Sequence, residues 1–170
     1  AIRYMAIETI RQYNKHKTYL QIIDGLIRQM RVPVPEIKVG AIQILGQLRE
    51  RRAVPTLIPM LASSHSSIVV AVVSALAIIC GQEFGTDITR WSHWWQEHYS
   101  QTRIRWLITG LRNTNASIRE IASNELAMLT TLSIAYDPNS STAAREHAIS
   151  KWEAWAKDQG TNHPPKRAPL

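Results

Sequence analysis

Two short blocks of this 170-residue chain hold the side chains best suited to chemistry. In the first, Asp87 precedes Trp91, Trp94 and Trp95. In the second, Asp137 lies fifty residues after Asp87, and Trp152 and Trp155 repeat the three-residue spacing of Trp91 and Trp94. A carboxylate among indoles invites a catalytic reading, and the indoles alone offer stacking faces to bases or to a partner's side chains. Each aspartate also directly precedes a helical segment, where a carboxylate accepts hydrogen bonds from free first-turn amides. Pro138, a favoured first helical residue, follows Asp137. Because the block occurs twice in one register, capping by the aspartates and space-filling by the tryptophans is the expectation. Trp95 and Trp106 stand apart: Ala156 takes the place of Trp95 in the second block, and Trp106 has no counterpart in any copy. Both are candidates for partner contact.

Glu97-His98 and Glu146-His147 bring together residue types that ligate metals, and His93 and Glu97 share a helical face at i,i+4. Two ligands do not make a site. The sequence contains no nucleophile–base–acid set, no phosphate-binding glycine loop and no Cys/His cluster. No catalytic, cofactor-binding or metal-ligating residue is assigned, and the chain is expected not to be an enzyme.

The strongest surface feature is basic. Asn14-Lys15-His16-Lys17 forms one inter-helix turn, and Arg49, Arg51 and Arg52 occupy the corresponding turn of the next helix pair. If equivalent turns align along one ridge, Lys15, Lys17, Arg51 and Arg52 form a positive strip, and His16 adds charge when protonated.

The elements that must position these residues are helices. A residue pattern spaced 4-4-3 is written four times: Ile2, Ala6, Ile10, Tyr13; Ile37, Ala41, Leu45, Leu48; Ile68, Val72, Leu76, Ile79; and Ile118, Ala122, Leu126, Leu129. That spacing keeps four side chains on one helical face, and its recurrence is the mark of a stacked helical array. Each striped helix is followed by a partner. The first pair is expected at 2–13 and 18–30, and the second at 37–49 and 54–62, separated by Val32-Pro33-Val34-Pro35, which cannot continue a helix. Pro55 suits a first turn, and Pro59 should bend its helix. Ser117 with Glu120 reads as a capping box that starts the fourth striped helix. The insertion from Pro138 to about Ala148 should be a loop or a helix extension.

Net charge is +7, unevenly spread: residues 1–52 hold ten Lys/Arg against four acids, residues 53–89 none against two, and residues 90–170 ten against seven. Such a field favours acidic partners. Cys80, the single cysteine, sits in an apolar run and reads as a small buried hydrophobe in a chain without internal disulfides. That run, Ile68 to Cys80, is shorter than the about 20 residues a membrane span needs. No signal-peptide pattern precedes it, so a cytoplasmic protein is expected. The chain opens inside a repeat helix, which implies a fragment of a longer array.

The segments Ile-Lys-Val-Gly-Ala-Ile-Gln-Ile-Leu-Gly-Gln-Leu at 37–48 and Ala-Val-Pro-Thr-Leu-Ile-Pro-Met-Leu at 53–61 resemble a HEAT repeat, of the short variety found in phycobilisome-lyase-like proteins. The block Gly81 to Trp95 is similar to a Gly-x-x-Phe-Gly-x-Asp…Trp-x-x-Trp-Trp segment that ends repeats in many bacterial HEAT proteins. The resemblance covers nearly the whole chain except the tail. It implies an all-α fold: a right-handed α-α superhelix (HEAT/armadillo-like solenoid) of about four helix pairs. One solenoid domain is expected over 1–160, with repeats at about 1–35, 36–66, 67–116 and 117–160, followed by a tail at 161–170. HEAT arrays mostly serve as scaffolds with unrelated partners. Some HEAT-like DNA glycosylases place an acid and aromatics in a concave cleft. The HEAT-fold iron enzyme that hydroxylates deoxyhypusine uses four His-Glu pairs, where this chain has two in reversed order.

The expected function is a non-enzymatic protein-binding scaffold that needs no cofactor and no membrane, with a protein partner bearing an acidic surface. The partner-binding candidates are Lys15, His16, Lys17, Arg49, Arg51, Arg52, Trp95 and Trp106. The alternative is a nucleic-acid-binding module that uses the basic ridge, and after it a HEAT-fold enzyme such as a DNA glycosylase or phycobilin lyase.

Overall fold

The computed structural model describes residues 17–130 and 132–162. The first stripe, with its helix expected at 2–13, and the candidates Lys15 and His16 lie outside the described residues. Within them are eight α-helices, one 3-10 turn and no strand. The helices are α1 (Lys17–Gln29), α2 (Pro35–Gln47), α3 (Val54–Met60), α4 (Ser66–Cys80), α5 (Ile88–His98), α6 (Arg103–Gly110), α7 (Ala116–Thr130) and α8 (Thr142–Asn162), and the 3-10 turn is Arg51–Ala53. The chain divides into two compact units, Ala1–Tyr99 and Ser100–Leu170. No described helix is long and apolar enough to cross a membrane.

In the first unit, α2 packs most extensively against α4, α1 packs on α2, and α3 contacts both α4 and α5. Val39 shares a recess with Ser66, Ser67 and Val70, while Gln47 shares the next one with Ala75 and Ile78, so α2 and α4 run parallel. Their backbones approach closely because Gly46 faces Ala75: a Cβ on Gly46 would lie 3.1 Å from both Ala75 Cα and Cβ. The stripe residues Ala41, Leu45, Leu48, Ile68, Val72, Leu76 and Ile79 are buried as their spacing requires, but Ile37, at the start of its stripe, is 42% exposed.

Pro35 occupies the start of α2, which begins and ends two residues earlier than the stripe implies. Arg49 closes this helix in the left-handed conformation, φ 53°. Its N–H donates to Gly46 O (2.9 Å) and that of Glu50 to Leu45 O (3.0 Å), the paired bonds of a Schellman ending usually completed by glycine. Gly81, φ 68°, serves α4 in the expected way.

In the second unit, α6 packs on α7 and α8. Its core joins Leu107, Leu111, Ala122, Leu126, Ile149 and Trp152, with Tyr136 and Trp155 packed at its edge. Ile118 of the fourth stripe is also buried, but Leu129, its last residue, is 54% exposed.

The cap of α7 differs from expectation. The helix begins at Ala116, so Ser117 is already inside it, and Asn115 Oδ1 accepts from Ser117 N at 2.9 Å. An asparagine side chain reaches the amide two residues on without help from a capping box. The insertion resolves as a short turn and an extension of α8, which starts at Thr142 with Ser141 Oγ accepting from Ala144 N. That helix reaches Asn162, two residues into the stretch expected to be tail.

Candidate functional site

The turn after α2 is built around a buried acid. Glu50 is 7% exposed although it sits inside the run Arg49-Glu50-Arg51-Arg52. Its Oε2 accepts from the Tyr19 hydroxyl at 2.9 Å, and its Oε1 accepts from Arg52 N at 3.0 Å, capping the 3-10 turn. A buried carboxylate is tolerated only when hydrogen-bonded, and these two donors supply that.

The same turn ties down the expected ridge. Arg51 donates to the Tyr99 carbonyl at the end of α5. Arg52 pairs with Asp24 of α1. Arg49 is half-buried in its strained ending. The arginines of this turn are therefore drawn onto the protein's own surface.

A line of exposed positive charge in this unit also runs along α1. Lys17 and Arg28 lie eleven residues apart, three turns, and so share a face with Asp24, which holds Arg52. Arg31 follows just beyond the helix, and Lys17, Arg28 and Arg31 are all exposed. The 3.6-residue periodicity of these charges was the signal to read; grouping by turns passed over Arg28 and Arg31.

The two aspartates part ways. Asp87 caps α5, its Oδ1 accepting from Arg90 N at 2.9 Å. Asp137 caps only a turn, accepting from Asn139 N at 2.8 Å, because the α8 extension moves the helix cap to Ser141. Trp91 is buried, donates to Gly85 O at 3.0 Å and meets Phe84 edge-on at 4.7 Å. Trp152 is also buried and packs edge-on with Trp155 at 6.1 Å. Its Nε1 has no hydrogen-bond partner among the described residues. These indoles fill space, as the repeated register implies.

Of the two outlying tryptophans, Trp95 is half-buried with its ring 6.4 Å from Tyr99, whereas Trp106 is 1% exposed and presents no open face for a base or a partner. Trp106 sits on the inward side of α6 beside the buried Leu107, an orientation that an unrepeated residue could not reveal.

The acid–histidine pairs are spent elsewhere. His93 faces Glu97 at 3.4 Å on an exposed helix surface. His98 Nδ1 lies 2.8 Å from Trp94 O, and its ring stacks on Trp94 at 4.6 Å. Glu146 receives Arg112. No group of three or more His, Cys, Asp or Glu able to hold a metal occurs among the described residues.

In the second unit Arg103, Arg112 and Arg119 are likewise committed. Arg103 makes a two-pronged contact with the buried Glu125, 2.8 Å on each arm. Arg112 bridges Glu146 and Glu153 at 2.8 and 2.7 Å. Those hydrogen bonds hold the Arg112 guanidinium above its ordinary value and the Glu146 carboxyl below its own. Arg119, 7% exposed, donates to the carbonyls of Asn113, Thr114 and Pro138 at 2.7–2.8 Å.

Comparison with protein-family models, with curated proteins and with solved structures returned no match.

Proposed function

We propose that this chain is a HEAT-like helical-repeat module, a right-handed solenoid, that works as a non-enzymatic scaffold for a protein partner with an acidic surface. The observation that carries the reading is the parallel α2–α4 pair, two striped helices in one register, each followed by a short partner. The exposed line Lys17, Arg28 and Arg31, with Arg52 held beside it, supplies the charge complementarity. It steers an acidic partner, while shape sets the affinity. The preference for a scaffold over an enzyme rests on the uses already found for the polar residues of the two tryptophan blocks.

The test is affinity capture with the whole chain and with a variant carrying Lys17→Glu, Arg28→Glu and Arg31→Glu. Loss of an acidic partner in the variant supports the reading; undiminished capture removes the charged line from it. A labelled duplex and single strand serve in parallel. Nucleic-acid binding that survives physiological salt, with a log–log slope of about −0.9 per neutralised phosphate, would replace the protein partner by nucleic acid.

A further inference from the structure

We infer that Arg52 and Arg28 form a carboxylate seat for the acidic partner, and that Asp24 occupies this seat in the free protein as an internal competitor. This rests on the scaffold reading and deepens it, by naming the group the partner inserts and the contact that must open to admit it.

The protein's own carboxylate shows what the seat takes. Asp24 is the single acid of α1, and it pairs with Arg52 of the turn after α2. On a lone helix its natural partner would be Arg28, four residues on. Yet among the described residues Asp24 pairs with Arg52, and Arg28 pairs with no acid. The Arg28 guanidinium lies over Gly25 instead: its Nη2 stands 3.9 Å from where a Cβ on that residue would be. Asp24 thus holds one guanidinium and leaves a second, one turn along its own helix, open. A partner segment that sets one carboxylate on Arg52 can set the next on Arg28. The planar fork of N–H donors on each guanidinium matches the two oxygens of a carboxylate.

The contact is built to open. Its side chains are 40% exposed for Arg52 and 47% for Asp24. Ion pairs this exposed are weak, because water screens them. Opening the pair does not undo the turn either. The Arg52 backbone stays fixed by its N–H bond to Glu50 Oε1, and Glu50 is itself tied to α1 by the Tyr19 hydroxyl. Only the Arg52 side chain has to swing, and Asp24, already half in water, loses little on release. The competitor lowers the apparent affinity in proportion to the molecules in which it occupies Arg52. It also selects the partner. A lone carboxylate gains little by displacing an equal, tethered one, whereas a segment dense in glutamate or aspartate supplies several at once.

The experiment is fluorescence anisotropy of a labelled oligoglutamate peptide titrated with the full chain at low salt. The parent should bind, and the variant carrying Lys17→Glu, Arg28→Glu and Arg31→Glu should bind more weakly. Asp24→Asn should tighten binding about threefold to fivefold, the size of an exposed ion pair. Glu36→Gln removes an equal charge from an exposed position at the start of α2 and should change binding less. The gain should vanish when Arg52→Ala is added to Asp24→Asn, since the cycle isolates that pair. No gain from Asp24→Asn, or an equal gain from Glu36→Gln, overturns the inference, as does a gain that persists without Arg52. The scaffold reading survives all three. A parent that does not bind, or a triple variant that binds as the parent does, overturns the inference and the charged line together. A labelled oligothymidylate strand that gains more from Asp24→Asn than the peptide does would assign the seat to phosphate and overturn the carboxylate.

Discussion

The two units carry the same helical stripe and are held together by different means. The first relies on close apolar packing: an uncharged α4 lies against α2, with Gly46 and Ala75 nearly in backbone contact. The second relies on arginines. Arg119 gathers three loop carbonyls, Arg103 covers a buried glutamate, and Arg112 bridges two acids of α8. The lengthened connection supplies one of these carbonyls, that of Pro138, and the loop between α6 and α7 supplies the other two. A turn that strays from regular structure leaves carbonyls needing donors, and a guanidinium with five N–H groups satisfies several at once. The tryptophans repeat the contrast: Trp91 finds the Gly85 carbonyl, whereas the equivalent Trp152 has lost that loop.

That contrast can be broken, most severely at Arg119. Arg119→Met strands three carbonyls in a part-buried site and should cost the second unit about 3 kcal/mol, read by chemical denaturation. The counterpart in the first unit is Gly46→Leu. It drives a side chain into Ala75 and should cost about 2 kcal/mol, with a lower melting temperature and little change in salt dependence. A matched pair of smaller changes compares the two blocks directly. Asp87→Ala removes a true helix cap and should cost about 1 kcal/mol, whereas Asp137→Ala removes only a turn contact and should cost about half of that. An equal cost would mean that the α8 extension has not changed the role of Asp137.

The smallest effect belongs to Arg112→Ala. The side chain is 43% exposed, so its loss should cost less than about 1 kcal/mol and shrink further in high salt. The pH dependence follows the same pair. Arg112 holds Glu146 below the ordinary carboxylate value of 4.5. Its contribution is therefore complete above that value and fades as pH falls through the lower folded one. Burial holds the Tyr136 phenol above its ordinary 10.0, so its contribution is complete below pH 10.0 and declines above it. Thermal melts across both ranges, in parent and Arg112→Ala, should show the acid limb weakened in the variant and the alkaline limb retained.

Much of the fold was legible because it follows from periodicity. Three of the four stripes predicted helices that the structure contains, and the prolines at 33, 35 and 55 marked boundaries that their missing amides impose. The ends of stripes were less legible: Ile37 and Leu129 share the spacing of their neighbours yet stay exposed, since a period says which face a residue occupies and not how far the packing extends. Little of the candidate site could be read. The sequence shows that Arg49, Arg51 and Arg52 adjoin Glu50, but only folding brings Asp24 and the Tyr99 carbonyl to them. The role of Arg119 leaves no mark in the sequence, because its partners are backbone atoms up to nineteen residues away. Trp106 looked exceptional for having no counterpart, yet it is buried.

Cys80 gives the first unit a built-in clock. It is the chain's single cysteine and is fully sheltered at the end of α4. A thiol reagent reaches its sulfur only in molecules where that helix has come away from its neighbours. The ratio of its labelling rate to that of the unfolded chain thus counts the open fraction of one unit alone. The second unit contributes nothing to the signal, so loosening there goes unrecorded unless it spreads. Silence of the thiol in an Arg119→Met variant would mean that the units open separately, and quickened labelling would mean that they open together.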